Sequence, residues 1–259
     1  MGLSCRAVAK SYPSRGGSVQ ALEGVTFDAA PGEFVSIVGP SGCGKTTLLK
    51  LVAGLLTPTA GEITLGAGAG VDTRARTALV FQEHGLFPWM TALDNVAFGL
   101  ETRSVPRGLR HDRARALLDR FGLQGFADSY PHQLSAGMRQ LVAIARALAV
   151  TPRVLLLDEP LGALDAQTRL VLQGELLHAW EDHDMLVLHV THDIEEALLL
   201  ADRVVVMTGR PGRVREVIRV PVPRPRDLSS TGRSELVALR WAIWGLLEPE
   251  VRGRLRESP

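Results

Sequence analysis

Residues Gly39-Pro40-Ser41-Gly42-Cys43-Gly44-Lys45-Thr46 fill the pattern G-x-x-x-x-G-K-[ST] at every fixed position. The β-branched run Phe34 to Val38 precedes them, and Leu48, Leu49, Leu51 and Val52 follow at helical spacing. That order commits the chain to a strand, a tight glycine turn and a helix. In such a turn several backbone N–H groups converge on one anion, and the helix presents its positive end to the same point. Lys45 would bring a point charge to the β and γ phosphates of a nucleotide, and the Thr46 hydroxyl would ligate Mg²⁺. The plain alternative is a strand-to-helix turn that binds nothing; the strand and helix on either side weigh against it. Cys43 stands where a helix N-terminus lowers a thiol's pKa, so a thiol reagent is expected to block nucleotide binding.

Composition narrows what can surround this loop. The chain has 259 residues, with 29 Lys plus Arg against 28 Asp plus Glu and a formal net charge of +1. That balance argues against a nucleic-acid partner, which calls for a net basic field. Among the cations only Lys10, Lys45 and Lys50 are lysines. At 46% apolar, 5% aromatic and 22% charged residues, the chain is neither disordered nor fibrous. Apolar stretches such as Val154 to Leu157 and Val204 to Met207 are far shorter than the ~20 residues of a membrane-spanning helix. The opening MGLSCRAVAK has no apolar signal core, and Arg6 breaks the myristoylation pattern, so the chain is expected to stay in the cytosol. Cys5 and Cys43 supply no disulfide framework and no metal-ligand spacing.

Residues 1–85 hold strand-like runs at Val25 to Phe27, Phe34 to Val38, Ile63 to Leu65 and Leu79 to Phe81, punctuated by Gly and Pro. Residues 86–150 turn helical and Arg-rich, as an insertion would. Strand character returns over 151–212, in Val154 to Leu157, Met185 to Val190 and Val204 to Met207, alternating with helices as in a parallel α/β sheet. Residues 213–259 form a Pro- and Arg-rich tail with a short helix over Ser234 to Leu247. Its Leu236, Leu239, Ile243, Leu246 and Leu247 share one side, a stripe expected to pack on the chain's own body.

The strand Val154 to Leu157 ends in Asp158 and Glu159, at the edge where α/β sheets bind ligands. Asp158 is placed to hold Mg²⁺, and Glu159 to orient the water that attacks the γ-phosphate. Just upstream, Leu134-Ser135-Ala136-Gly137-Met138-Arg139-Gln140 resembles the signature motif of ABC-type ATPases. Further landmarks fall in the family's order. Gln82 matches the Q-loop, Ala163-Leu164-Asp165 the D-loop, and His192 in Val190-Thr191-His192-Asp193 the switch histidine. Tyr12 matches the aromatic that stacks on adenine.

The resemblance covers roughly residues 3 to 215 and implies an α/β fold. It would be a P-loop NTPase, a RecA-like ABC ATPase core with an N-terminal antiparallel β-subdomain and an inserted α-helical subdomain. The nucleotide would lie on Tyr12 and on Gly39, Pro40, Ser41, Gly42, Cys43, Gly44, Lys45, Thr46 and Thr47. Glu159, His192 and Gln82 would be catalytic, and Thr46, Gln82 and Asp158 would hold Mg²⁺. In the family the signature motif acts in trans, so Ser135, Ala136, Gly137 and Met138, with Asp165 of the D-loop, would close on ATP bound by a second copy in a homodimer. Each match also has a bland reading: Ser135 as a simple helix cap, His192 as a structural histidine, Tyr12 as a surface turn residue. Ala136 replaces the usual glycine and Met138 the common glutamine, and a methyl group there is expected to slow closure.

One cassette, no spans and a modest insertion fit a stand-alone engine docking on two integral-membrane permease subunits. Docking is expected near Phe87, Pro88 and Trp89, where apolar residues gather in a loop; the alternative is a loop folded onto its own domain. Whole phrases such as Phe87-Pro88-Trp89-Met90-Thr91 and Gly209-Arg210-Pro211-Gly212-Arg213 resemble the nitrate/sulfonate/taurine importer group. The resemblance implies a peripheral protein on the cytoplasmic face of the bacterial inner membrane, linked indirectly to a periplasmic substrate-binding protein. Taurine or an alkanesulfonate is the favoured cargo, with nitrate or a pyrimidine vitamin precursor open. A non-transport ABC ATPase acting as a switch or assembly factor is the alternative.

Overall fold

Ala7 lies at φ 47° and marks a bulge between Cys5 and Val8 in the first strand, β1 (Leu3–Ser14). The bulge breaks the period-two alternation that would announce a strand, which is why β1 is not legible in the sequence. It pairs antiparallel with β2 (Gly17–Ala29) and β4 (Ala60–Leu65), a three-stranded antiparallel sheet. The computed structural model describes residues 1–14, 16–66, 77–82, 85–162, 164–183, 185–224, 226 and 228–257. Within it the chain forms two compact units, Met1–Arg74 with Leu186–Pro259, and Ala75–Met185.

In the first unit β3 (Phe34–Val38) is buried along its whole length. It runs parallel between β7 (Leu186–Thr191) and β8 (Arg203–Met207), with Ser36 opposite His189 and Val204. All three are mainly apolar and buried, as suits strands covered on both faces, with Ser36 and His189 as the polar exceptions inside β3 and β7. Residues 214–219, which the sequence reads as the start of a Pro/Arg tail, instead form the strand β9 (Val214–Arg219), antiparallel to β8. Its mostly exposed side chains explain why it reads as a solvated tail. The helix α1 (Lys45–Val52) follows β3, and α6 (Ile194–Leu200) follows β7.

The tail helix α7 (Ser234–Glu257) continues past the expected end at Leu247 and through Pro249. Glu250 accepts from Gly209 N–H at 3.0 Å and pairs with Arg215 at 3.5 Å, so tertiary contacts hold the turn that the proline weakens. Leu236, Ile243 and Leu247 are buried, as the apolar stripe requires.

In the second unit β5 (Thr77–Val80) pairs parallel with β6 (Val154–Asp158), Val80 opposite Leu157. Leu155, Leu156 and Leu157 are fully buried, each contributing about 2 kcal/mol by leaving water. The helices are α2 (Ala92–Glu101), α3 (Arg107–Arg120), α4 (Ala136–Ala149) and α5 (Ala166–His183), with α2 packed on both α3 and α4. Thr91 caps α2 by accepting from Asp94 N–H at 3.1 Å. Among the described residues no helix is long and apolar enough to cross a membrane.

Candidate functional site

The phosphate loop leaves β3 at Gly39 and enters α1 at Lys45, with Gly44 as N-cap at φ 102°. A Cβ on Gly44 would meet Leu22 Cδ2 at 2.7 Å and Ala21 O at 2.9 Å, so both conformation and space demand glycine. Leu48 N–H is bonded to Gly44 O, which leaves the first-turn amides directed at the loop. Lys45 is buried, its ammonium donating to Gly39 O at 2.8 Å and Pro40 O at 3.1 Å. A cation held at the mouth of a helix N-terminus, inside a ring of backbone groups, is suited to a phosphate. Tyr12 is half-buried in β1, not in a turn, and its hydroxyl lies 3.4 Å from Thr47 Oγ1.

Cys43 corrects an expectation. Its side chain is fully buried, and a Cβ on Gly39 would stand 2.9 Å from its sulfur. Gly212 covers the other side, where a Cβ would lie 2.0 Å from Cys43 O. The thiol is therefore out of reach of a reagent, its sulfur 4.0 Å from the Lys45 ammonium that donates to it. Cys5 is also buried, and loss of solvation, with Asp28 nearby, pushes its thiol up to about 12.

At the carboxyl ends of β5 and β6, parallel register brings two functional candidates side by side. Gln82 Nε2 donates to Glu159 Oε2 at 3.4 Å. Asp158 is buried at the last position of β6, and Glu159 follows at φ 47°, a left-handed conformation rare for glutamate. That turn ends the strand abruptly and leaves Glu159 half-buried beside Gln82. Strain of this kind gathers at working sites. Within this unit Asp158 and Gln82 offer carboxylate and amide oxygens, hard donors of the kind Mg²⁺ takes.

Ser135 caps α4, its Oγ accepting from Met138 N–H at 3.2 Å. Ser135 and Ala136 are exposed, and Gly137 is so close to Leu164 that a Cβ would meet its Cδ2 at 3.1 Å. Asp165 accepts from Gln167 N–H, Thr168 N–H and the Thr168 hydroxyl, at 3.1, 3.0 and 2.6 Å. These donors hold its carboxyl below the usual carboxylate range, the Thr168 hydroxyl having the largest effect. Ala163 of the same motif lies outside the described residues.

The apolar loop splits in two. Phe87 turns inward against Phe98, ring centroids 4.6 Å apart, under the Arg146 guanidinium at 5.7 Å. Asn95, fully buried, accepts from Phe87 N–H and donates to the carbonyls of Phe87, Met90 and Thr91. Trp89 is 70% exposed. His84 lies outside the described residues.

His192 follows β7 and lines an open groove of about 740 Å³ with Asp193, Ile194, Trp241 and Trp244. Sequence reading passed over its neighbour His189, buried between Ser36 and Glu196. The available signal was a histidine alone in the apolar run Leu186 to Val190.

A family model described as ABC transporter matches residues 22–162. An uncharacterized ABC transporter ATP-binding protein of Methanocaldococcus jannaschii is 44% identical over 98% of this chain and 94% of its own length. An aliphatic sulfonates import ATP-binding protein, SsuB of Bacillus cereus, is 43% identical over 91% of this chain and 93% of its own. Among solved structures, a dimeric post-hydrolysis state of an ATP-binding cassette bound to ADP and Pi aligns with TM-score 0.78 at 34% identity. It covers 85% of this chain and all of its own.

Proposed function

We propose, from the premise that this chain belongs to the ABC transporter family and is one of its ATP-binding, ATP-hydrolysing subunits, that it powers import of a small organic anion. An alkanesulfonate such as taurine is the favoured cargo, supported by the likeness to a sulfonate import protein. The observation that carries hydrolysis, as against a passive ATP switch, is Glu159 held beside Gln82 at the strand ends. A carboxylate there can accept a proton from the attacking water, and the Gln82 amide orients the pair.

In this reading Lys45 and the loop amides from Gly39 to Thr47 hold the β and γ phosphates, and Tyr12 packs on the base. Thr46, Asp158 and Gln82 hold Mg²⁺, which when bound neutralises phosphate charge. His192 faces the γ-phosphate. Ser135, Ala136, Gly137 and Met138, with Asp165, act on the ATP of a second copy, a homodimer supported by the dimeric cassette it aligns with. The exposure of Ser135 and Ala136 suits that task. Trp89 meets a permease subunit at the cytoplasmic face of the membrane, and the permease in turn meets an extracytoplasmic binding protein.

Glu159→Gln removes the base but keeps the size and polarity of the side chain. With ATP the variant should accumulate as a dimer that copurifies with an integral-membrane permease. ATP-bound material that stays monomeric, or brings down no membrane protein, would overturn the importer reading.

A further inference from the structure

Three buried polar groups in the first unit form a chain that the proposed hydrolysis does not use. Ser36 stands opposite His189 in the parallel register of β3 and β7, its Oγ 3.1 Å from His189 Nδ1. Across the ring, His189 Nε2 lies 2.7 Å from Glu196 Oε1, in the first turn of α6. Ser36 and His189 are wholly inaccessible, and Glu196 is 4% exposed. Among the described residues neither His189 Nε2 nor Glu196 Oε1 has a well-aligned hydrogen-bond partner, so their close approach is what each has in place of water. An imidazole and a carboxylate buried together stay only because each compensates the other.

Their position in the chain gives the contact a use. Val190 to Glu195 run between them, with His192 in the middle and no glycine among them. Inside this turn Asp193 N–H donates to Thr191 Oγ1 at 3.0 Å. Asp193 Oδ1 in turn accepts from Glu195 and Glu196 N–H at 2.9 and 3.2 Å. The turn is thus braced within and closed at its base. Ser36 belongs to the strand that delivers Gly39, so the same polar chain ties the turn to the root of the phosphate loop.

We propose that the His189–Glu196 contact, anchored by Ser36, is a clasp that positions His192 for hydrolysis. It rests on the reading of His192 as a residue facing the γ-phosphate. His189 and Glu196 are positioning residues and do not touch nucleotide. Lys45 is held by Gly39 and Pro40 carbonyls, not by the clasp, so opening the clasp changes turnover and leaves nucleotide affinity alone.

The decisive variant replaces both partners, His189→Leu with Glu196→Leu, so that no buried charge is orphaned and the packing is kept. Its kcat and KM for ATP, fluorescent-ATP affinity and melting temperature are compared with the parent. The expected result is a parental melting temperature and ATP affinity, with kcat lower by about tenfold or more. Glu196→Gln, which keeps a hydrogen-bonding partner for His189, should retain kcat within about threefold. Parental kcat in the double variant, or a loss that tracks ATP affinity, overturns the clasp. If the double variant does not fold, His189→Gln is read by the same two outcomes. His192→Ala run in parallel separates the premises: a loss there with none in the double variant sinks the clasp alone, whereas parental turnover in His192→Ala sinks the role of His192.

Discussion

Lys45 shows how one side chain can carry a site. Its ammonium is buried and already donates to two loop carbonyls, so the loop is shaped around a compact cation. A planar guanidinium is larger and directs its donors along a fixed fork, so arginine, abundant elsewhere in this chain, does not substitute. Lys45→Ala and Lys45→Arg should each lower ATP turnover by more than about a hundredfold, read as phosphate release; undiminished release from the alanine variant contradicts the phosphate-loop reading. Asp165 makes a different kind of statement. Its carboxyl is depressed by the Thr168 hydroxyl and the neighbouring amides, so its contribution to stability is present above the ordinary carboxylate range and disappears as pH falls through the folded value. Asp165→Ala should therefore melt a few degrees below the parent at neutral pH, and the two curves should converge as the pH falls below the ordinary carboxylate range. A gap that widens on acidification would show that the capping bonds are not its source.

At the scale of elements, the docking loop separates construction from display. Asn95 fastens three loop carbonyls and one amide from inside α2, and Phe87 is held between Phe98 and Arg146. What remains for a partner is the exposed Trp89. Asn95→Ala would take from the Phe87 N–H and the Met90 carbonyl the partner that Asn95 supplies, while the Phe87 and Thr91 carbonyls keep backbone donors, and should cost about 1–3 kcal/mol in urea unfolding. Trp89→Ala should change stability by less than about 0.5 kcal/mol while weakening association with the permease. If Trp89→Ala destabilises as much as Asn95→Ala, the tryptophan is packing and not display. Phe87 thus fits the alternative of a loop folded on its own domain, while Trp89 is left exposed, as a docking residue has to be.

For the whole molecule, what the sequence disclosed depended on period and on spacing. Buried strands such as Phe34–Val38 and Val154–Asp158 are largely apolar runs, broken only by Ser36 and ended by Asp158, and could be read directly. The strand β1 hid behind the bulge at Ala7, and β9 behind its exposed, Arg-rich face. Loop and cap residues such as Gly44 and Ser135 were legible because their chemistry is local. The inward turn of Cys43 depends on Gly39 and Gly212, and the His189–Glu196 contact joins a strand to a helix; no local pattern encodes either. The same long-range pairing has a consequence for biosynthesis. Every residue of β3 is apolar or buried, yet its two neighbours, β7 and β8, are encoded about 150 residues later. At ribosomal speeds of roughly 5–20 residues per second the strand must wait on the order of ten seconds or more with neither edge covered. The nascent chain thus presents an open, sticky ribbon just ahead of its phosphate loop, and a holding chaperone or the ribosome's own surface is what such a ribbon needs until translation supplies its mates.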